Sequence, residues 1–189
     1  MNAPSHTPAV ESSAGAFIAG LLGRLPACAL RPNEVVPIPA AALPPRAASL
    51  LAHDRHMTAE LEAHFAAGVA VHVLDRVHAG ERYAREILLS VPGGRVVQYA
   101  VVDVALGQCP PALREDIVAE RVPLGRALLA SAEDWDVEAA GFVRVGVPPA
   151  LAARFGCAVQ AAGYGRLLRI RHGAQKLVEG LELLTPALA

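Results

Sequence analysis

Aromatic side chains are scarce in this chain: Phe, Trp and Tyr make up 4% of its 189 residues, against a hydrophobic share of 53%. The core must therefore come mainly from Leu, Val and Ile, with alanine supplying much of the remaining apolar share, and a disordered chain is excluded over most of the length. Lysine is nearly absent, Lys176 being the single one among 17 basic residues; a compositional bias of the coding sequence accounts for that, and no function follows from it. Cysteine is rare too. Cys28, Cys109 and Cys157 are odd in number and form no CxxC pair, which argues against a disulfide framework and a structural zinc site and favours a reduced, cytoplasmic location. Excess charge of either sign is missing, with 17 basic against 18 acidic residues, so nothing global draws the chain to nucleic acid or an anionic membrane. Mean hydropathy is +0.36, yet no run approaches the ~18 uncharged apolar residues of a spanning helix. The start, Met1 to Ala16, has Glu11 and no Lys or Arg. The apolar run Ala14–Leu22 thus lacks a secretory n-region and reads as a short amphipathic helix.

What is present suggests one domain of ordinary size with an N-terminal extension over 1–46. Residues 1–13 have the texture of a mobile end, and 31–46 carry five prolines that exclude a regular helix. The domain proper is expected from 47 to 189. Leu50, Leu51, Met57, Leu61 and Phe65 recur at mostly helical spacing. Strand-like runs follow at 69–77, 83–91 and 96–105, then two helices opening at Pro110-Pro111 and Pro123, then strands at 141–147, 165–172 and 175–184. Strands at both ends with helices between predict an α+β fold, an antiparallel sheet with helices over one face.

Four constellations carry chemistry. His53, Asp54, His56, Glu60 and His64 include three residues four apart, but without HExxH order they read as a solvated helix face and not as a metal site. Arg85 lies in the apolar strand Tyr83-Ala84-Arg85-Glu86-Ile87-Leu88-Leu89. Alternation puts it with Tyr83, Ile87 and Leu89, and Glu86 on the opposite face, so one charge must point inward. An inward arginine needs an anion, either a protein carboxylate or a ligand carboxylate. Pro123-Leu124-Gly125-Arg126 opens a helix whose first amides lack intrahelical partners, a place for a carboxylate. Glu179 and Glu182, three apart on the last strand, cannot both enter a pocket beneath the sheet; the one that does could act as a general base or hydroxyl acceptor. GxSxG, Walker and GxGxxG motifs are missing, which disfavours serine-nucleophile and nucleotide chemistry.

The strand around Arg85, the PLGR of 123–126 and the terminal Leu181-Glu182-Leu183-Leu184 together resemble the chorismate pyruvate-lyases, or 4-hydroxybenzoate synthases. His53-Asp54-Arg55-His56-Met57-Thr58 and Gly163-Tyr164-Gly165-Arg166 are similar to a branch outside the short ubiquinone-pathway enzymes. The similarity spans about Leu50 to Leu184. It implies a six-stranded antiparallel sheet with helices on one face, a closed pocket, and conversion of chorismate to 4-hydroxybenzoate and pyruvate without metal or organic cofactor. It also implies roles: Arg85 and the Leu124 backbone grip the ring carboxylate, with Gly125 and Met57 at the substrate, and Glu182 assists proton removal at C4. The family's third-strand arginine falls on Tyr99, leaving Arg55, Arg126 and Arg166 as candidates for its work. Two other readings stand beside the lyase: an enzyme acting on a related carboxylated ring, and a non-catalytic module that senses a small aromatic acid, as in transcription-factor effector domains of similar sheet-and-helix design.

Overall fold

The computed structural model of the chain describes residues 8–189, with side chains from residue 13 onward. Its centre is set by two strands that are apolar on both faces. β3 (Arg82–Ser90) and β4 (Val96–Ala105) are buried along nearly their whole length, which is why their text runs as Val, Ile and Leu instead of alternating. They form a hairpin whose turn places Gly93 and Gly94 at φ 88° and 80°, backbone that side chains other than glycine's resist. β2 (Ala70–Ala79) pairs with β3 on one side, and β7 (Gln175–Leu184) with β4 on the other. β6 (Ala162–His172), β5 (Asp136–Gly146) and β1 (Val35–Ile38) complete an antiparallel sheet in the order β1-β5-β6-β7-β4-β3-β2.

The sheet has seven strands where six were expected. The extra one, β1, comes from the proline-rich segment, where Pro37 would be excluded from a central strand but is tolerated at the edge. Helices α2 (Pro45–Leu51), α3 (Met57–Phe65), α4 (Pro111–Ala119) and α5 (Leu124–Ala130) cover the face that carries Tyr83, Ile87 and Leu89. The opposite face is covered as well. α1 (Pro8–Leu22) and the segment after it lay Ile18, Leu21, Leu22, Leu25 and Leu30 on Leu88, Val101, Leu181 and Leu183, while α6 (Pro149–Phe155), which no sequence pattern marked, adds Leu151. Of the mobile end expected over 1–13, residues 1–7 lie outside the described residues, and 8–13 open α1. Among the described residues no helix is long and apolar enough to cross a membrane.

Coverage of both faces has a direct electrostatic result. Arg85 and Glu86 are 0% and 3% exposed, so both charges of that pair point inward, into different layers. The sequence required only that one of the two point inward; α1, by covering the second face, buries the other as well.

Candidate functional site

On the α2–α5 side, a narrow pocket lies between the sheet and the first turns of α3 and α5. Its floor is apolar: Ile87 and Leu89 of β3, Ala100 and Val102 of β4, Leu168 and Ile170 of β6. His56, Met57 and Thr58 form one part of the roof, and Pro123, Leu124 and Gly125 the other. The two helix starts touch tightly. A Cβ on Gly125 would lie 2.7 Å from Thr58 Oγ1 and 3.1 Å from Thr58 Cβ. Gly125→Ala is therefore expected to lower stability by about 1–2 kcal/mol, and Thr58→Ala in the same chain to restore much of it; denaturant unfolding of the two variants checks this.

Arg85 does not itself line the pocket, although its strand neighbours do. It pairs in register with Val102 and shares a strand face with Ile87 and Leu89, all three of which line the pocket. Its Nη1 donates to the Ile117 carbonyl of α4 at a long 3.5 Å, while Nε and Nη2 are buried without any partner among the described residues. Burial pushes its pKa down, with Tyr83 and Glu120 nearby pulling the other way. Glu120 does not neutralise it by direct contact, because it is held by the Tyr83 hydroxyl and by Arg76 at 3.1 Å. A guanidinium remains charged even here.

Arg166 is its counterpart on β6, also 0% exposed but fully engaged. Nε donates to Glu182 Oε2 at 2.6 Å, Nη1 to the His53 carbonyl at 2.7 Å and Nη2 to the Arg55 carbonyl at 2.9 Å. It thus pins the loop between α2 and α3 to the sheet. Nη1 also lies 3.1 Å from His53 Nδ1, while His53 Nε2 meets the Leu50 carbonyl at 2.9 Å; a neutral imidazole protonated at Nε2 satisfies both. Burial is the main cause lowering the His53 pKa, with Arg166 next, and burial likewise lowers His56. Both fall below the ordinary 6.5. The unfolded chain therefore takes up these protons first, so stability is expected to drop as pH falls through and below 6.5 and to level off under the depressed folded values. Melting curves between pH 7.5 and 5 should show the fall, and a His53→Gln/His56→Gln double variant should flatten it.

The sequence candidates separate cleanly. Met57, Leu124, Gly125 and Glu182 line the pocket. Glu179 sits instead with Lys176 at 2.9 Å and Arg169 at 4.0 Å, on the opposite sheet face. Tyr99 also faces away: its hydroxyl donates to Glu86 Oε1 at 2.7 Å and lies 3.1 Å from Cys28 Sγ, beneath the segment after α1. Of the three arginines considered for its place, Arg166 reaches the pocket, whereas Arg55 pairs with Glu60 and Arg126 with Glu62. No group of three potential metal ligands is assembled among the described residues, the histidine cluster being split between His56 at the pocket and Glu60 on Arg55. Sequence reasoning missed Gln98, which lines the pocket; the available signal was a polar residue sharing a strand face with Ala100 and Val102.

No family model matches the chain, and no curated protein does. Among solved structures it is similar to the effector domain of PhnF from Mycobacterium smegmatis, with a TM-score of 0.51 and 13% identity, covering 69% of this chain and 88% of that one. Against the PhnF structure that extends beyond this domain, the TM-score is 0.50 at 13% identity, over 69% of this chain and 64% of that one. A further match, with a TM-score of 0.46 and 9% identity over 64% of this chain and 94% of that one, is the C-terminal domain of the histidine utilization repressor from Pseudomonas syringae pv. tomato. These findings correct the activity implied by the resemblance. The aligned structures are regulator domains and not enzymes, so chorismate lyase chemistry, with Arg85 and Glu182 as catalytic residues and chorismate as substrate, is set aside. What the likeness shows is the fold: a single α+β domain of the chorismate lyase-like type, shared with effector domains of transcriptional regulators.

Proposed function

We propose that the chain is a non-catalytic module that binds a small aromatic carboxylic acid in the pocket between the sheet and the starts of α3 and α5. The observation that carries this reading is Arg85, a fully buried guanidinium with two nitrogens lacking partners. Buried polar groups are nearly always satisfied, and one that is not calls for a partner from outside the chain. A carboxylate meets an arginine's fork with two parallel charge-assisted hydrogen bonds. The apolar floor of Ile87, Leu89, Ala100 and Val102 suits a ring, and the Leu124 and Gly125 amides, in the first turn of α5, add donors for the same carboxylate. Met57 covers the ring from α3. Glu182 belongs to the wall that Arg166 holds in place, with no proton transfer assigned to it. The effector domain of PhnF, a regulator domain of the same fold, supports a binding role by analogy.

The test is calorimetric titration with benzoate and with benzyl alcohol. Benzoate binding with release of heat, and none for the alcohol, is the expected result. Equal binding of both, or benzoate binding undiminished in Arg85→Met, would overturn the reading.

A further inference from the structure

Arg76 and Arg85 are direct register partners on β2 and β3, which sets their Cβ atoms roughly 5 Å apart on one sheet face. Like charges in that relation repel. One carboxylate, that of Glu120, answers to both. Its Oε2 takes Arg76 Nη1 at 3.1 Å, its Oε1 accepts from the Tyr83 hydroxyl, and its charge acts on Arg85. Tyr83 and Arg85 are two apart on β3, and the Ile117 carbonyl that meets Arg85 is one helical turn before Glu120. The buried arginine is thus left unpaired, while the carboxylate beside it is engaged by an arginine whose side chain is 61% exposed and has water to pair with.

Glutamate is a costly residue for this place. It closes α4 in the left-handed region, at φ 58°, where glycine is the unstrained choice, and its charge opposes the helix dipole at that end. What glutamate adds over glycine is the carboxylate. We infer that Arg76 and Glu120 set the affinity of the pocket from outside it: Arg76 holds the Glu120 carboxylate off Arg85 and so keeps that guanidinium free for an anion from outside the chain. Without Arg76 the carboxylate turns to Arg85 and competes with the ligand for it. The consequence for affinity rests on the carboxylate reading of the pocket; the exchange of Glu120 between two arginines does not.

The experiment has two readouts. The first is the dissociation constant of benzoate on the wild type, Arg76→Met, Glu120→Gln and the double variant. Arg76→Met is expected to bind about tenfold more weakly, as when Arg85 is free in about a tenth of the molecules. Glu120→Gln, whose amide oxygen still accepts from the Tyr83 hydroxyl, should bind at least as tightly as the wild type, and the double variant should match it. A double variant as weak as Arg76→Met would show that Arg76 acts through its own charge, and would overturn the inference, as would equal affinity in all four proteins. The second readout needs no ligand. Arg85→Met is expected to raise the melting temperature of the wild type but to lower that of Arg76→Met, where it strands the Glu120 carboxylate; a change of the same sign in both would overturn the inference. Should the wild type bind no benzoate, the carboxylate reading fails, and the melting comparison still decides whether Glu120 exchanges between the arginines.

Discussion

Replacing Arg85 by Met is expected to abolish benzoate binding and, at the same time, to raise the melting temperature. Most core substitutions do the reverse, so the combination is diagnostic. The guanidinium is wholly buried and makes one long contact with the Ile117 carbonyl, leaving two nitrogens unpaired. Removing an uncompensated buried cation and filling its place with an apolar chain of similar reach recovers about 2 kcal/mol. For a domain of this size that is a rise of roughly 4–8 °C. The same substitution removes the unpaired cation on which the carboxylate reading rests, Arg166 being saturated by Glu182, His53 and Arg55. A drop in melting temperature would instead mean that Arg85 holds α4 to the sheet, and the carboxylate reading would lose its support.

Arg166→Met is expected to do the opposite to stability. It leaves Glu182 buried without its cation and strips donors from two carbonyls of the loop between α2 and α3. Breaking one side of such a pair costs about 3–5 kcal/mol, or roughly 10 °C or more in melting temperature. An Arg166→Met/Glu182→Met double variant should regain a large part of the loss, because the stranded charge goes with its partner. Differential scanning calorimetry of the wild type, the single variant and the double variant measures the coupling directly; additive losses would show that Arg166 acts through the loop alone.

The contrast between these two arginines shows what the sequence could reveal. Arg85 is flagged by local alternation, since a strand with apolar residues on both faces and adjacent Arg85 and Glu86 must point at least one of those charges inward. Arg166 gives no such sign. Its partners His53 and Arg55 are 113 and 111 residues away, and only the assembled sheet brings them together. The central strands were legible because burial on both faces writes a continuous apolar run. β1 was not, because four residues containing Pro37 look unlike a strand until an edge is available to receive them. α6, seven residues long and opening on prolines, likewise has too little periodicity to stand out. Glu182 and Glu179 could be separated only by the register of β7. The activity was least legible of all, because the text around Arg85, Leu124 and Glu182 reads the same whether or not chemistry follows.

Strand order also sets when this pocket can exist during synthesis. β7 is made after every other strand and yet is inserted between β4 and β6. Before it arrives the chain holds two half-sheets, β2-β3-β4 with Arg85 and Gln98, and β1-β5-β6 with Arg166. Neither half has the whole floor, since Leu168 and Ile170 come from β6 and the rest from β3 and β4, and Arg166 has no carboxylate to lock against until Glu182 is in place. A nascent or prematurely ended chain lacking β7 has no complete pocket, so the proposed binding would report a finished sheet.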